Sequence, residues 1–422
     1  MTTKLKITEI ERITLDVPFT PRVHPWNELL VGQWRVVEIM RVVTDAGFVG
    51  YGETLPHYTW GRVSDEAVAR VKGGNPADFM HDDSLGAGLQ MALWDVVGKA
   101  LGVPMHRLLG QPKVRDWCTI GWWNTKAPPE VLAAEAQDAL AQGYMAHKFK
   151  ARPWFDVYEQ VAQISRVTPV NYRLDMDWNE MLRDVGNAAP VLTELDKNPR
   201  IAIYEEPIPR GDVEGYRRLR QHTNRPTAQH YSPEIMRNAA QREATDGFVV
   251  GGGVSATMRA GLAAGEFNKP FWLQLVGVGL VTAFAAHLGA VLPWATWPAI
   301  SCLNNYSDDC LAQPLEIKGG YVRVPDAPGL GVEIDEDAIR KYRVSKDNWW
   351  IDYPRKILSV VWEGGRVMHY TTMPQCWTDF RNGNQPLQEP GVRLHVWHDD
   401  GTPEFDELHR RAELAPVRDS RN

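Results

Sequence analysis

Short apolar stretches recur at a regular interval through the middle of the chain, separated by stretches with helical spacing of apolar positions. Four of the apolar stretches end on residues able to do chemistry, at Lys150, Asp175, Glu205 and His230. These residues follow one another at intervals of 25 to 30 residues, and a (β/α)8 barrel takes about 30 residues for each strand–helix unit. The pattern therefore predicts an α/β barrel whose strands end at one mouth, where these side chains face one another.

The segment before the barrel follows other patterns. Residues 4–17, 36–43 and 48–53 read as strands, and a Thr-Asp-Ala-Gly turn joins the last two. Residues 85–101 carry apolar side chains at helical spacing, and this helix should end at Gly102, ahead of Pro104. We expect a separate N-terminal α+β domain over residues 1–113.

Two loops of this segment combine aromatic and polar side chains. Residues 20–34 include His24 and Trp26, and residues 54–60 include His57 and Tyr58. This makeup fits a cover over a substrate, and these four residues are candidates for substrate binding. The alternative is a pair of ordinary surface loops.

After His230, the sequence predicts strand six at 248–250, strand seven at 271–273 and a weakly marked eighth unit near 297–303. The barrel would span 114–318, and residues 319–345 would return to the N-terminal domain. The remaining segment, 346–422, is the C-terminal extension; it contains five tryptophans, including Trp377, and a predicted hairpin near 357–370. Disordered tails are poor in aromatic residues, so we expect this extension to pack on the barrel or on a neighbouring subunit.

Composition narrows the classes of partner. The net charge is −7 and the pI about 6.0, with no basic run, which argues against a nucleic-acid partner. The polar N-terminus does not resemble a signal peptide and no apolar run reaches membrane-spanning length, so we expect a cytoplasmic protein. The four cysteines lack CxxC spacing, which indicates neither a zinc knuckle nor a disulfide framework.

Lys148 and Lys150 lie two positions apart on one predicted strand and therefore point the same way. Two close ammonium groups beside a metal ion lower each other's pKa, so that one lysine can act as a general base. The alternative is a pair of lysines in salt bridges at a strand end. Asp175 and Glu205 are hard oxygen ligands, suited to Mg²⁺.

Several motifs then show a resemblance. Residues 44–53 (TDAGFVGYGE), 92–104 (ALWDVVGKALGVP), 319–321 (GGY) and 328–332 (PGLGV) resemble the enolase superfamily, in its mandelate racemase and muconate-lactonizing branch. The resemblance implies a modified (β/α)8 TIM-type barrel under an N-terminal α+β capping domain. It implies a divalent metal, most commonly Mg²⁺, with Asp175 and Glu205 as its first two ligands. It also implies that Lys148 contacts the substrate carboxylate and that Lys150 is the base.

The chain departs from that family at several positions. His230 stands where a third carboxylate ligand is usual, and a nitrogen ligand suits Mn²⁺, Fe²⁺ or Zn²⁺ better than Mg²⁺. His230 could instead be an acid or base, or a structural residue. Gly251 and Gln274 take the places of the racemase Asp–His dyad, which leaves Gln274 as a candidate for substrate binding.

The sequence thus predicts a metal-dependent lyase that removes the α-proton of a small carboxylic acid, with a sugar-acid dehydratase as the first candidate. The catalytic candidates are Lys150, Lys148 and His230, and the candidate metal ligands are Asp175, Glu205 and His230. By the same resemblance we expect a homo-oligomer. Two alternatives stay open: an isomerase or cycloisomerase of the same family, or a catalytically quiet barrel with a binding or assembly role.

Overall fold

The structure is a computed structural model that describes residues 5–58 and 61–420. Thr59 and Trp60, in the second predicted cover loop, lie outside the described residues. The chain begins with an antiparallel sheet in the order β1-β2-β3, formed by β1 (Ile7–Asp16), β2 (Val36–Thr44) and β3 (Val49–Thr54). Around it lie α1 (His24–Asn27), α2 (Asp65–Val71) and α3 (Ala87–Leu101).

Helix α3 lies directly against β3. A Cβ on Gly50 would come within 2.2 Å of the Ala92 carbonyl oxygen, and one on Gly52 within 2.0 Å of the Gly88 carbonyl oxygen. Only glycine permits this approach, which accounts for the alternation of glycine along β3. Helix α3 ends at Gly102 in the left-handed conformation, as predicted.

The barrel strands follow in chain order. They are β5 (Trp122–Asn124), β6 (Ala146–Lys150), β7 (Arg173–Asp177), β8 (Ile201–Glu205), β9 (Thr227–His230), β10 (Gly247–Val250) and β11 (Phe271–Leu273). A short strand, β4 (Trp117–Thr119), precedes them and belongs to a separate antiparallel sheet. Strands β5 to β11 form one parallel sheet in sequence order, so the predicted α/β barrel class is confirmed. Their helices are α4 (Pro129–Ala141), α5 (Val157–Val167), α6 (Val185–Leu195), α7 (Val213–Leu219), α8 (Pro233–Arg242), α9 (Val254–Glu266) and α10 (Gly279–Val291).

The barrel closes through two residues of the weakly marked eighth unit. Ala299 bridges to Ile120 at the beginning of the barrel, and Ile300 bridges to Gln274 just after β11, both in parallel orientation. The chain then forms β12 (Ile317–Lys318) and β13 (Tyr321–Arg323), and β13 pairs with β4. Leu330 N donates to Asp95 Oδ1 on α3 at 2.7 Å, which brings this segment back to the N-terminal sheet, ahead of α11 (Glu336–Tyr342).

The C-terminal extension folds as a second antiparallel sheet in the order β16-β14-β15-β17. Its elements are β14 (Lys356–Val361), β15 (Arg366–Tyr370), α12 (Met373–Arg381), β16 (Arg393–His398), α13 (Pro403–Leu414) and β17 (Val417–Ser420). Trp362 and Tyr370 are buried in one apolar cluster with Trp154 and Phe155 of the barrel. The predicted hairpin and the predicted packing on the barrel are confirmed, whereas the domain boundaries stay a prediction. No helix among the described residues is long and apolar enough to cross a membrane.

Candidate active site

Charged side chains from four neighbouring strands meet at the carboxyl-terminal end of the barrel. Strand β6 supplies Lys148 and Lys150, β7 supplies Asp177, β8 supplies Glu205, and β9 supplies His230. Alternation along each strand turns these residues towards the barrel interior, and parallel strands bring their ends to the same rim.

Lys148 is the most buried cation of the site, with 1% of its side chain exposed. Its Nζ forms an ion pair with Glu205, lies 3.5 Å from Asp177 Oδ2 and donates to Gln274 Oε1 at 2.7 Å. Burial alone would lower the pKa of Lys148, but the Glu205 and Asp177 carboxylates outweigh it and the net shift is upward. Lys148 is therefore a charged hydrogen-bond donor and not a base.

Lys150 lies nearer the mouth. Its Nζ donates to Asp177 Oδ2 at 2.5 Å and to Asn179 Oδ1 at 3.0 Å. Asp177 thus sits between the two ammonium groups. Burial opposes ionisation of Asp177, but Lys150, Lys148 and Arg152 hold its pKa well below the usual range. Asp177 is a permanent carboxylate.

Asp175, the predicted first metal ligand, lies deeper along β7 than Asp177. In the register of β6 and β7, Asp175 lies opposite Lys148 and Asp177 lies opposite Lys150. Two residues along a strand amount to about 6.6 Å, so Asp175 is one layer deeper in the barrel. It is buried, its Oδ1 has no hydrogen-bond partner, and burial raises its pKa to about 6.

Glu205, Glu206 and His230 form the one group among the described residues whose ligand atoms lie within 4.8 Å of one another in an arrangement able to hold a metal ion. Of the predicted ligand set, the structure therefore brings Glu205 and His230 together, with Glu206 beside them in place of Asp175. Both carboxylate oxygens of Glu205 are buried and lack a hydrogen-bond partner of good geometry. Burial, then the nearby Asp177 carboxylate, raises the pKa of Glu205 to about 7.

Glu206 fixes the tautomer of His230. Burial opposes ionisation of Glu206, but hydrogen bonds from His230 and Arg210 lower its pKa, so it is an anionic acceptor. His230 Nδ1 lies 2.7 Å from the acceptor Glu206 Oε1 and 3.3 Å from the donor Arg210 Nη2, and we assign its proton to the shorter hydrogen bond, to Glu206. In the neutral imidazole, Nε2 then holds the free lone pair, and this nitrogen can bind a metal or accept a proton.

A cavity of about 320 Å³ opens above Lys150 and His230 and is lined by Tyr58 and Gln274, two of the five predicted substrate-binding residues. A second cavity of about 220 Å³ adjoins it, shares Tyr58, His230 and Gln274, and reaches Gly251. The two racemase-dyad positions therefore do face the site, and neither Gly251 nor Gln274 exchanges protons near neutral pH.

The other three predicted substrate-binding residues do not line either cavity. His24 packs near Tyr353, with ring centroids 6.2 Å apart, and Trp26 meets Phe155 edge-on at 5.8 Å. His57 stacks on Trp349 at 4.9 Å. His24 and His57 thus contact the C-terminal extension itself, and Trp26 packs against the same apolar cluster as that extension.

Other residues line the mouth instead. Leu30, Val31 and Trp34 belong to the first predicted cover loop, although they were not among the named candidates. Trp123 and Arg152, at the ends of β5 and β6, and Trp377 of α12 were missed in the sequence. A signal existed for Arg152, which follows the Lys-x-Lys pair at the next alternate position. Nothing in the sequence pattern placed Trp377 at the barrel mouth.

Comparison with known proteins agrees with this fold. The family model described as "Enolase C-terminal domain-like" matches residues 131–338. The chain is 27% identical to D-gluconate dehydratase of Thermoproteus tenax, over 72% of this chain and 69% of that protein. It is 27% identical to o-succinylbenzoate synthase of Bacillus subtilis, over 80% of this chain and 98% of that protein.

Among solved structures, the muconate lactonizing enzyme from Pseudomonas putida superposes with a TM-score of 0.66 at 22% identity, covering 80% of this chain and 100% of that chain. This likeness concerns the fold. The match over residues 131–338 places the barrel of this chain in the enolase superfamily, in its mandelate racemase and muconate-lactonizing branch.

Proposed function

We propose that the protein is a metal-dependent lyase that removes the α-proton of a small carboxylic acid and expels a leaving group from the β-carbon. The observation that carries this proposal is the arrangement of Lys148 and Lys150 around the single carboxylate of Asp177, at 3.5 and 2.5 Å. A paired donor and base beside acidic side chains is what abstraction of a weakly acidic C–H proton requires.

The side chains fit a divalent cation. Asp177 and Glu205 are buried carboxylates, and both Glu205 oxygens lack a well-oriented hydrogen-bond donor. We propose Asp177, in place of Asp175, as the first ligand, with Glu205 as the second and His230 Nε2 as the third. Two carboxylates suit Mg²⁺, whereas the imidazole nitrogen shifts the set towards Mn²⁺, Fe²⁺ or Zn²⁺.

When bound, a divalent cation would supply positive charge beside the acid's carboxylate, which acidifies the α C–H. Lys148, charged and fixed by Glu205 and Gln274, donates to the carboxylate oxygen on which negative charge develops. Lys150 takes the α-proton with its Nζ, and the electron pair of the C–H bond then expels the β-substituent. Asn179 orients Lys150 through the 3.0 Å hydrogen bond.

Relatives support two substrate classes. D-Gluconate dehydratase and arabinonate dehydratase act on polyhydroxy acids by their names, which supports a sugar acid. The relatives named o-succinylbenzoate synthase and muconate cycloisomerase act on unsaturated or aromatic acids. The aromatic lining of the larger cavity favours the second class, so a cycloisomerase is the second candidate function.

The test is α-proton exchange with solvent deuterium, followed by NMR over a library of carboxylic acids with added divalent metal. We expect uptake of deuterium by the wild type and a loss on the order of 10²–10⁴-fold or more in Lys150→Met. Lys197→Met is the matched control, because Lys197 is 70% exposed and pairs with the neighbouring Glu194. No exchange with any acid, or equal exchange in Lys150→Met, would favour the catalytically quiet barrel.

A further inference from the structure

The larger cavity at the barrel mouth has an unusual lining for a site that binds a polyhydroxy acid. Of its fourteen lining residues, the formally charged ones are all basic, with no acidic residue among those described: Lys150, Arg152 and Arg210. Eight of the others are apolar or aromatic: Leu30, Val31, Trp34, Tyr58, Trp123, Val276, Cys302 and Trp377. The cavity therefore offers cationic hydrogen-bond donors to an anionic group and surrounds the rest of the ligand with apolar surface.

The two amide side chains of this cavity already have partners. Asn179 Oδ1 accepts from Lys150 and from Arg152. Gln274 Oε1 accepts from Lys148 at 2.7 Å. A polyhydroxylated ligand would bring several hydroxyl groups into a space with few unused acceptors, and a buried hydroxyl without a partner is costly. A ligand that carries an apolar group in place of these hydroxyls has no such cost.

Trp377 is the residue of the C-terminal extension that lines this cavity, and neighbouring side chains contact it on several sides. The guanidinium carbons of Arg152 and Arg381 each lie 5.3 Å from the Trp377 ring centroid. Trp154 lies 6.0 Å away with its ring tilted by 60°. A side chain held by two cations and another indole presents a rigid apolar surface, which favours binding because little freedom is lost.

The same extension also fixes the cover loop on the other side of the cavity. The Gln33 side chain exchanges two hydrogen bonds with the backbone of Ile351, at 2.7 and 2.9 Å. Tyr353 OH donates to the Gly32 carbonyl at 2.9 Å. These contacts hold Trp34, which stacks on Trp123 at 5.7 Å and meets Tyr58 edge-on at 4.7 Å.

The family model that matches this chain ends at residue 338, before the extension begins. The surface that Trp377 contributes to the cavity therefore lies outside the part of the chain that the family model matches.

We infer that the C-terminal extension is part of the substrate-binding site, and that Trp377 selects acids whose body is flat and apolar, such as an aryl or alkenyl group. This inference rests on the proposed function, because it assumes that the acid's carboxylate is held beside Lys148. Trp377 is a specificity-determining residue that takes no part in proton transfer.

Binding of two α-hydroxy acids that share the carboxylate end but differ in body tests the inference: 3-phenyllactate and D-gluconate, measured by calorimetry with the full chain. We expect the wild type to bind 3-phenyllactate at least about 10-fold more tightly. Trp377→Ala should weaken the binding of 3-phenyllactate about 10-fold, since buried tryptophans dominate apolar contacts. The affinity for D-gluconate should stay unchanged. The control Trp397→Ala, on the far edge strand of the extension, should change neither acid.

Three results would overturn the inference. They are a wild type that binds D-gluconate as tightly as 3-phenyllactate or more tightly, a wild type that binds neither acid, and a Trp377→Ala variant that binds both acids equally more weakly. If Trp377→Ala fails to fold, the wild-type preference still decides, and Trp377→Leu should show a smaller selective loss. Deuterium exchange in the same samples separates the two proposals. Selective binding without exchange would contradict the proposed lyase activity and support the inference about Trp377. Exchange of D-gluconate that Trp377→Ala does not change would support the lyase activity and contradict the inference.

Discussion

Lys126 is a buried lysine outside the reaction centre, and its burial allows a prediction about stability that does not depend on catalysis. Lys126, just after β5, is 1% exposed, and its Nζ has no hydrogen-bond partner. Burial, with a smaller effect from the Arg152 charge, lowers the pKa of Lys126 from 10.5 to about 7. The unfolded chain keeps this amine charged at neutral pH, so folding must discharge it or bury the charge.

The magnitude follows from that lowering. At about 1.4 kcal/mol for each pKa unit, it corresponds to roughly 5 kcal/mol at pH 7. Between pH 7 and 10.5 the unfolded state binds more protons than the folded state, so stability rises with pH. Lys126→Met has a similar length and no charge. We expect its free energy of unfolding to exceed that of the wild type by several kcal/mol at pH 7, with the difference shrinking as the pH rises.

Urea unfolding followed by tryptophan fluorescence, at about pH 7.5 and about pH 9.5, measures this difference. It should fall by about 3 kcal/mol between the two conditions. Lys197→Met serves as the control, because its side chain is 70% exposed. A Lys126→Met variant less stable than the wild type, or a difference independent of pH, would refute the assignment of an uncharged buried amine.

Three other predictions concern the site and its surroundings. His230→Glu should shift metal preference from Mn²⁺ towards Mg²⁺ in competition calorimetry, because a third carboxylate hardens the ligand set; an unchanged preference would place His230 outside the metal site. With Gly251 and Gln274 at the positions of the racemase dyad, deuterium should enter one enantiomer of an exchanging acid, and equal uptake into both would contradict a single base. Lys356→Met removes the 2.7 Å ion-pair partner of Glu28, whose side chain is 5% exposed. Breaking such a buried pair should lower the free energy of unfolding in urea by about 3 kcal/mol. No loss relative to the control Lys346→Met, at an exposed lysine, would show that the extension does not depend on this pair.

The spacing of the strand ends predicted the barrel, because one strand and one helix repeat with a period that the sequence shows. The same spacing does not distinguish between the two carboxylates of Asp175-Met176-Asp177. Both aspartates point to the same face, since alternation has a period of two. Only the register against β6, which sets Asp177 opposite Lys150, tells which carboxylate reaches the mouth.

The cover over the site was predicted less well, for a different physical reason. His24, Trp26 and His57 have the makeup of substrate contacts, but the C-terminal extension or the cluster that it shares with the barrel takes their packing surfaces. Trp377 lies more than two hundred residues after the strands that it meets. Contacts at such a separation depend on how a whole sheet docks, which neither periodicity nor composition specifies.

The central claim is that a divalent cation binds at the carboxylates nearest the barrel mouth. Calorimetric titration of metal-free protein with Mn²⁺ tests it most directly, using the wild type, Asp177→Asn and Asp175→Asn. We predict one Mn²⁺ per chain in the wild type, an affinity loss of at least about 10-fold in Asp177→Asn, and little change in Asp175→Asn, because Asp175 lies one layer deeper. Absence of Mn²⁺ binding, or an equal loss in Asp175→Asn, would contradict the account.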